Sequence, residues 1–391
     1  MEWLAFLLPI AALSGWLSAR RHYKKRLNRQ QSPFDPDYFK GLNYLLNEQP
    51  DKAIDVFIRL LEVNSETVET HLALANLFRR RGETERAIRI HQNLIARPSL
   101  TAEQRDQVLV ELGLDYMSAG VLDRAEQLFL ELTSRPVPPV EAYSQLLRIY
   151  QQEKNWQQAI NVAKKIKYDG QESLGPTIAL FYCELAEQEL DTATHNVQSL
   201  LKQALSYDAN CVRATLLEAE MLIQEKNYKK AVKTLKKVES QDIEHLSEAL
   251  PLLETCYINL SNLDKFREYL FALSERHPAM ASIHLVLSSI IKQQSGEQAA
   301  LDYLHKRLQQ HPSLEGLNTM IELGDYSSDK LVPLVGDITG HLIQQSRRYV
   351  CRHCGFSGKT LHWHCPTCKQ WGTIRSTEIN LNSLDTKMEI S

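Results

Sequence analysis

The chain has 391 residues, 43% of them hydrophobic and 24% charged, with 15 Gly and 14 Pro, which excludes an intrinsically disordered or collagen-like chain and favours helix. A formal net charge of −3 and an isoelectric point near 6.5 exclude a global attraction to nucleic acid. Of seven cysteines, Cys183, Cys211 and Cys256 stand singly in apolar helical stretches and four form two C-x-x-C pairs, which is no secreted disulfide framework and points to a reducing compartment.

The chain opens with Trp3 to Ala19, 17 residues without a charge. As a helix this run spans about 25 Å, a little short of a hydrocarbon core of about 30 Å, and snorkelling side chains with slight bilayer thinning close the gap. Trp3 and Trp16 fall near the two headgroup levels. Only Glu2 carries a charge ahead of the run, whereas Arg20, Arg21, Lys24, Lys25, Arg26 and Arg29 follow it with no acid among them. That order is the reverse of a signal peptide. Residues 1–19 are therefore expected to be a single-pass transmembrane anchor with its N-terminus outside, and residues 20–34 a basic cytoplasmic stalk.

From there a repeat runs through the middle. Ala53 and Ala87 are 34 residues apart, as are Ala125 and Ala159, Phe266 and Ala300, and Pro278 and Pro312. Twelve residues before several of these anchors stands another small residue: Gly41, Ala75, Gly113, Ala219 (before Ala231) and Ser288. A ring follows three residues later in the early copies, at Tyr44, Phe78 and Tyr116, with Tyr150 equivalent in the fourth. Two antiparallel helices cross closely only where side chains are small, and each pair buries its apolar stripe by stacking on the next. The pattern resembles the tetratricopeptide repeat over residues 35–315, in about eight copies, and predicts an all-α superhelix presenting a groove to protein partners. Four extra residues separate the second and third copies around "RPSLTAEQR", the fifth lacks clean anchors, and the seventh has Glu254 and Phe266 where small residues belong, so its helices are expected to cross less closely.

Residues 316–347 form a bridge. Leu331, Val335, Ile338 and Leu342 recur at spacings of 4, 3 and 4, one face of an amphipathic helix expected to pack on the end of the array.

The last domain, residues 348–376, holds Cys351-x2-Cys354-x10-Cys365-x2-Cys368, followed by a tail, 377–391. Each C-x-x-C makes a knuckle aiming two thiolates at one point, and two facing knuckles complete a tetrahedral S4 metal site suited to zinc or iron. Gly355 supplies positive φ after the first knuckle; Lys369 takes that place in the second, whose turn is expected to be strained or differently hydrogen-bonded. Phe356, Trp363 and Trp371 are expected to furnish the small core. Four thiolates saturate the site, so His353, His362 and His364 are expected around it rather than on the metal. No phosphate-cradling Gly loop, H-E-x-x-H or G-x-S-x-G occurs, and a saturated site has no position for substrate; the chain is expected not to be an enzyme. "YVCRHCGF" with "CPTC" resembles the rubredoxin-type iron site, so the alternative reading is an electron-transfer module on a protein-binding scaffold.

Taken together, an anchor, a basic stalk, tetratricopeptide repeats and a rubredoxin-like knuckle resemble the lipopolysaccharide assembly protein B family of Gram-negative bacteria. "NLFRRRGETERAIRIHQ", "LGLDYMSAGVLDRAE", "FYCELA" and "WHCPTCKQWGTIR" carry the likeness most specifically. The resemblance implies one metal ion on Cys351, Cys354, Cys365 and Cys368, iron favoured and zinc the other candidate. It implies an inner-membrane adaptor, with the bulk of the chain cytoplasmic, that promotes degradation of the lipid A-committing deacetylase by the membrane AAA+ protease. It also implies an inner-membrane lipopolysaccharide regulator acting through the transmembrane segment; from the charge balance, no nucleic-acid partner is expected.

Overall fold

The structure, a computed structural model, describes residues 36–377 apart from Glu48, residues 50–51, Asp55, residues 58–67, 167–173, 192–195, 325–330 and Ser346. The expected anchor and stalk lie outside these residues, as does the tail beyond Thr377. Among the described residues no helix is long and apolar enough to cross a membrane.

The chain divides into two compact units, residues 1–153 and 154–391. The first contains α1 (Pro36–Leu46), helical residues around Ala53 and Phe57, α2 (Val68–Arg80), α3 (Thr84–Ile95), α4 (Ala102–Ser118), α5 (Leu122–Thr133) and α6 (Val140–Gln152). From α2 to α6 each helix packs on its neighbour. The small anchors Ala53, Ala75, Ala87 and Ala125 are all fully buried. Which small residue stands at a crossing follows from what faces it. A Cβ on Gly41 would lie 2.7 Å from Phe57 Cζ, and one on Gly113 would lie 2.5 Å from Phe129 Cζ, so a ring on one helix enforces glycine on the other. The extra residues before α4 supply its start: Thr101 accepts from the Gln104 N–H while the Gln104 side chain accepts from the Thr101 N–H, a capping box. Asp115 of α4 is fully buried and satisfied, accepting from Arg79 of α2 at 2.9 Å and lying 2.5 Å from His91 Nδ1 of α3.

The second unit continues with α7 (Trp156–Ala163), α8 (Gly175–Asp191), α9 (Val197–Tyr207), α10 (Val212–Gln224), α11 (Tyr228–Leu235), α12 (Val238–Gln241), a 3₁₀ turn at Ile243–His245, α13 (Leu246–Asn259), α14 (Leu263–Arg276), α15 (Ala281–Ser295), α16 (Glu297–Gln310), α17 (Leu314–Leu323) and α18 (Leu331–Gln345). The copy without clean anchors is nonetheless a close hairpin, α8 on α9, with Ala179, Phe181, Ala186 and Ala204 fully buried. Cys183 and Cys211, read from the sequence as isolated, are brought together across α8 and the start of α10, their sulfurs 3.9 Å apart. In α13 and α14, Phe266 stacks on Tyr257 with centroids 4.9 Å apart, and the two helices approach each other less than those of the hairpins α2–α3, α4–α5, α8–α9, α10–α11 and α15–α16, as their large residues predict.

Turns within hairpins share one device. Gly82, Gly120, Lys226 and Ser261 all have positive φ, from 51 to 80°. The next residue's N–H then reaches back to close the helix: Glu83 to Phe78 O, Val121 to Tyr116 O, Asn227 to Leu222 O and Asn262 to Tyr257 O, at 2.7 to 3.0 Å.

The bridge departs from expectation. α18 does pack on α17, but the predicted apolar stripe points outward, with Val335, Ile338 and Leu342 exposed at 43%, 51% and 50%. The helix approaches by its small residues instead: Thr339 is buried and donates to Asn318 Oδ1 at 3.1 Å, and a Cβ on Gly336 would meet Ile321 Cγ2 at 2.9 Å. Close approach to a neighbouring helix selects the narrow face, not the most apolar one.

Candidate metal centre

After α18 the chain forms a three-stranded antiparallel sheet, order β2-β1-β3, from β1 (Tyr349–Cys351), β2 (Ser357–Gly358) and β3 (Ile374–Ser376). Cys351 ends β1 and the first knuckle turns from it; the second knuckle is held by an isolated bridge between His364 and Trp371. The two knuckles are hydrogen-bonded alike. The Gly355 N–H donates to Cys351 O at 2.9 Å and the Cys351 N–H to Phe356 O at 2.7 Å; the Lys369 N–H donates to Cys365 O at 3.0 Å and the Cys365 N–H to Gln370 O at 2.9 Å. Lys369 therefore bonds as Gly355 does, and what distinguishes the second turn is strain: Lys369 holds φ 58°, beside 75° at Gly355.

The four sulfurs lie within 4.8 Å of one another, with Cys351 to Cys368 and Cys354 to Cys365 both 3.7 Å apart. A tetrahedral ion bound at about 2.3 Å to each sulfur needs S···S edges of about 3.8 Å, so the cage has the size for one zinc or iron ion, and its four cysteines are free thiols. Burial raises the Cys351 thiol, but bonds from Thr373 Oγ1 and the backbone of Cys354 and His353 bring it down to about 6. Burial, then bonds to the other sulfurs, push Cys368 up to about 12 against the pull of the Gln370 N–H. A cation among the four sulfurs would favour release of the remaining protons. Among the described residues no histidine joins the cluster. His353 and His362 are exposed, and His364 stacks on Trp371 at 4.5 Å while its Nε2 lies 3.0 Å from Lys369 O.

The core of this domain is Tyr349, Cys351, Cys365 and Ile374, with Phe356 and Leu361 against them. Phe356 was expected there; Trp363 and Trp371 were too, and both instead face the helices. Trp371 meets Trp156 of α7 and Phe181 of α8 edge-on, at 5.8 and 5.4 Å. Trp363 stacks on His245 at 5.1 Å, under the guanidinium of Arg213, itself bonded to Glu184 and Glu187. Arg375 pairs with Asp242 and Glu244, Arg352 with Glu244, and the Tyr349 hydroxyl donates to Glu248 at 2.6 Å. Burial, then that bond, pushes Tyr349 up to about 12. The metal domain is thus seated on the repeats themselves, at the irregular passage between α11 and α13.

A family model described as Rubredoxin metal binding domain matches residues 349–376, and one described as Tetratricopeptide repeat matches residues 70–104. Lipopolysaccharide assembly protein B of Escherichia coli (strain K12) is 39% identical over 381 residues, 96% of this chain and 98% of that one. The chain belongs to the lipopolysaccharide assembly protein B family. The family's Haemophilus influenzae member is 35% identical over 389 residues, again 96% of this chain and 98% of that one. Among solved structures, the C-terminal part of a TPR repeat-containing protein from Cytophaga hutchinsonii covers 76% of this chain and 98% of its own, at 13% identity and a TM-score of 0.39.

The seat residues Trp156, Phe181, Asp242, Glu244, His245 and Glu248 went unrecognised in the sequence. The available signal was an excess of aromatics: two tryptophans in a domain whose sheet and thiols leave little interior to fill.

Proposed function

We propose that this protein takes part in lipopolysaccharide assembly as a membrane-tethered adaptor, bringing the lipid A-committing deacetylase to the membrane AAA+ protease for degradation. The observation that carries this reading is 39% identity with a family member over 381 residues, 96% of this chain. The proposed arrangement has residues 1–19 crossing the inner membrane with a periplasmic N-terminus, where an inner-membrane regulator acts. Residues 20–34 form the cytoplasmic stalk, 35–315 the repeats, 316–347 the bridge and 348–376 the metal domain. Cys351, Cys354, Cys365 and Cys368 hold one ion, iron favoured by the family and zinc the other candidate, which supplies folding energy to a domain too small to hold itself. Tethering client and protease to one scaffold at one membrane raises their effective concentration without any reactive group.

The test is the half-life of the deacetylase in cells lacking the chain and complemented with it. Complementation by the full chain is expected to shorten that half-life, and by a chain lacking residues 1–19 to leave it long. An unchanged half-life with and without the full chain refutes the adaptor; full restoration by the shortened chain refutes the tether.

A further inference from the structure

Two cysteines outside the metal centre stand in an arrangement that burial alone does not call for. Cys183 lies in the middle of α8, fully buried, and Cys211 is the N-cap residue immediately before α10, 5% exposed. Their sulfurs are 3.9 Å apart. Cys211 also lines a cavity of about 170 Å³ beneath the metal domain, together with Arg213, His245, Trp363 and Trp371. A water-sized guest needs roughly 10–15 Å³ of such space, so a small peroxide fits.

We propose that Cys183 and Cys211 form a dithiol oxidised by hydroperoxides, closing to a disulfide that staples α8 to the head of α10. The two sulfurs differ in the way such chemistry needs. The bond from Cys183 lowers the Cys211 thiol against its burial, and the Ala214 N–H at the start of α10 lowers it further. The same bond and burial raise Cys183 well above the ordinary range. Cys211, the one of the two that lines the cavity, is the attacking thiolate, and the fully buried Cys183 is the resolving thiol. Cys211 sulfur attacks one peroxide oxygen, the O–O bond breaks, and the other oxygen leaves as water, giving a sulfenic acid. Cys183 sulfur then attacks the sulfenic sulfur, the S–O bond breaks, and a second water leaves with the remaining proton. Two thiols and one hydrogen peroxide become one disulfide and two waters; the sulfurs together lose the two electrons that the peroxide gains. Closure brings the sulfurs from 3.9 Å to the roughly 2.05 Å of a disulfide, drawing Cys211 inward from the wall of the cavity that Trp363 and Trp371 also line.

The experiment exposes the full, metal-loaded chain to hydrogen peroxide, at a dose that oxidises free glutathione in the same tube. Remaining thiols are then alkylated and tryptic peptides mapped by mass spectrometry. Cleavage at Lys202 separates the two cysteines, so a linkage between their peptides is decisive. The expected result is a Cys183–Cys211 linked pair with metal content retained; Cys183→Ala is expected to leave Cys211 as a sulfenic acid trapped by dimedone. Two fully alkylated cysteines in the natural chain, or Cys211 linked to a metal-domain cysteine instead, overturn the proposal without recourse to any variant.

Discussion

Trp371 meets Phe181 edge-on, with ring centroids 5.4 Å apart and planes at 86°, and it meets Trp156 in the same manner at 5.8 Å. Aromatic pairs of this geometry contribute about 0.5–1.5 kcal/mol each beyond their burial. Trp371→Ala is therefore expected to weaken seating of the metal domain by about 1–3 kcal/mol. Amide exchange in residues 347–377 checks it: faster exchange with an unchanged metal content is the expected pair of readings, and unaltered exchange contradicts the seat.

The thiol quartet governs folding of the same domain. Structural tetrathiolate sites supply on the order of 10 kcal/mol, more than a sheet of eight strand residues secures alone. Cys351→Ser, or a strong chelator, is expected to abolish amide protection across residues 349–376 while the repeat helices keep theirs. Metal analysis is expected to give one ion per chain. An iron-loaded chain is coloured and bleaches on reduction, whereas a zinc-loaded one is colourless, which also separates electron transfer from a purely structural ion.

Lys369 holds a left-handed conformation at φ 58° that glycine adopts without penalty. After allowing for the greater freedom of glycine in the unfolded chain, Lys369→Gly is expected to stabilise the domain by about 0.5–1 kcal/mol. Slower metal loss to a competing chelator is the measurement, and faster loss is the contrary result.

His245 is the seat residue on which Trp363 stacks. Burial pushes its imidazole below the ordinary 6.5, outweighing the pull of Asp242 at 3.1 Å. The seated ring stays neutral while a freed ring takes a proton, so acid favours the unseated state. Seating is then fully present above pH 6.5 and weakens as pH falls from there toward the lowered value. Proteolysis of residues 347–377 is expected to accelerate as pH falls below about 6.5, and His245→Gln to flatten that dependence; metal content, followed in parallel, separates it from loss of the ion.

Gly113 and Phe129 provide a test of the repeat itself. A Cβ at Gly113 would stand 2.5 Å from Phe129 Cζ, so Gly113→Ala is expected to destabilise the first unit by about 1–3 kcal/mol. Adding Phe129→Leu is expected to recover part of that loss, a coupling read from denaturant melts of the two single variants and the double. Simple additivity of the two refutes the enforced pairing.

Much of this was legible in the residues and some was not. Ala53, Ala87 and Ala125 announced the hairpins because close crossing leaves a compositional mark at a fixed period. Cys351, Cys354, Cys365 and Cys368 announced their cluster because a knuckle is local. The stripe at Val335, Ile338 and Leu342 misled, since periodicity reports which face is apolar and says nothing of how near a neighbour stands. Trp363 and Trp371 misled in the same way: an aromatic needs burial, and the sequence does not name its cover. Arg352 and Glu244 are 108 residues apart, a partnership set by how the hairpins stack rather than by any spacing.

That separation has a temporal side. The seat is complete once synthesis has passed Glu248, but its occupant ends at Ser376. At about 5–20 residues per second, a ribosome takes on the order of ten seconds to make the difference. Throughout that interval Trp156 and Phe181 lack the edge-on cover of Trp371, so the last domain to be made is the one that completes their packing.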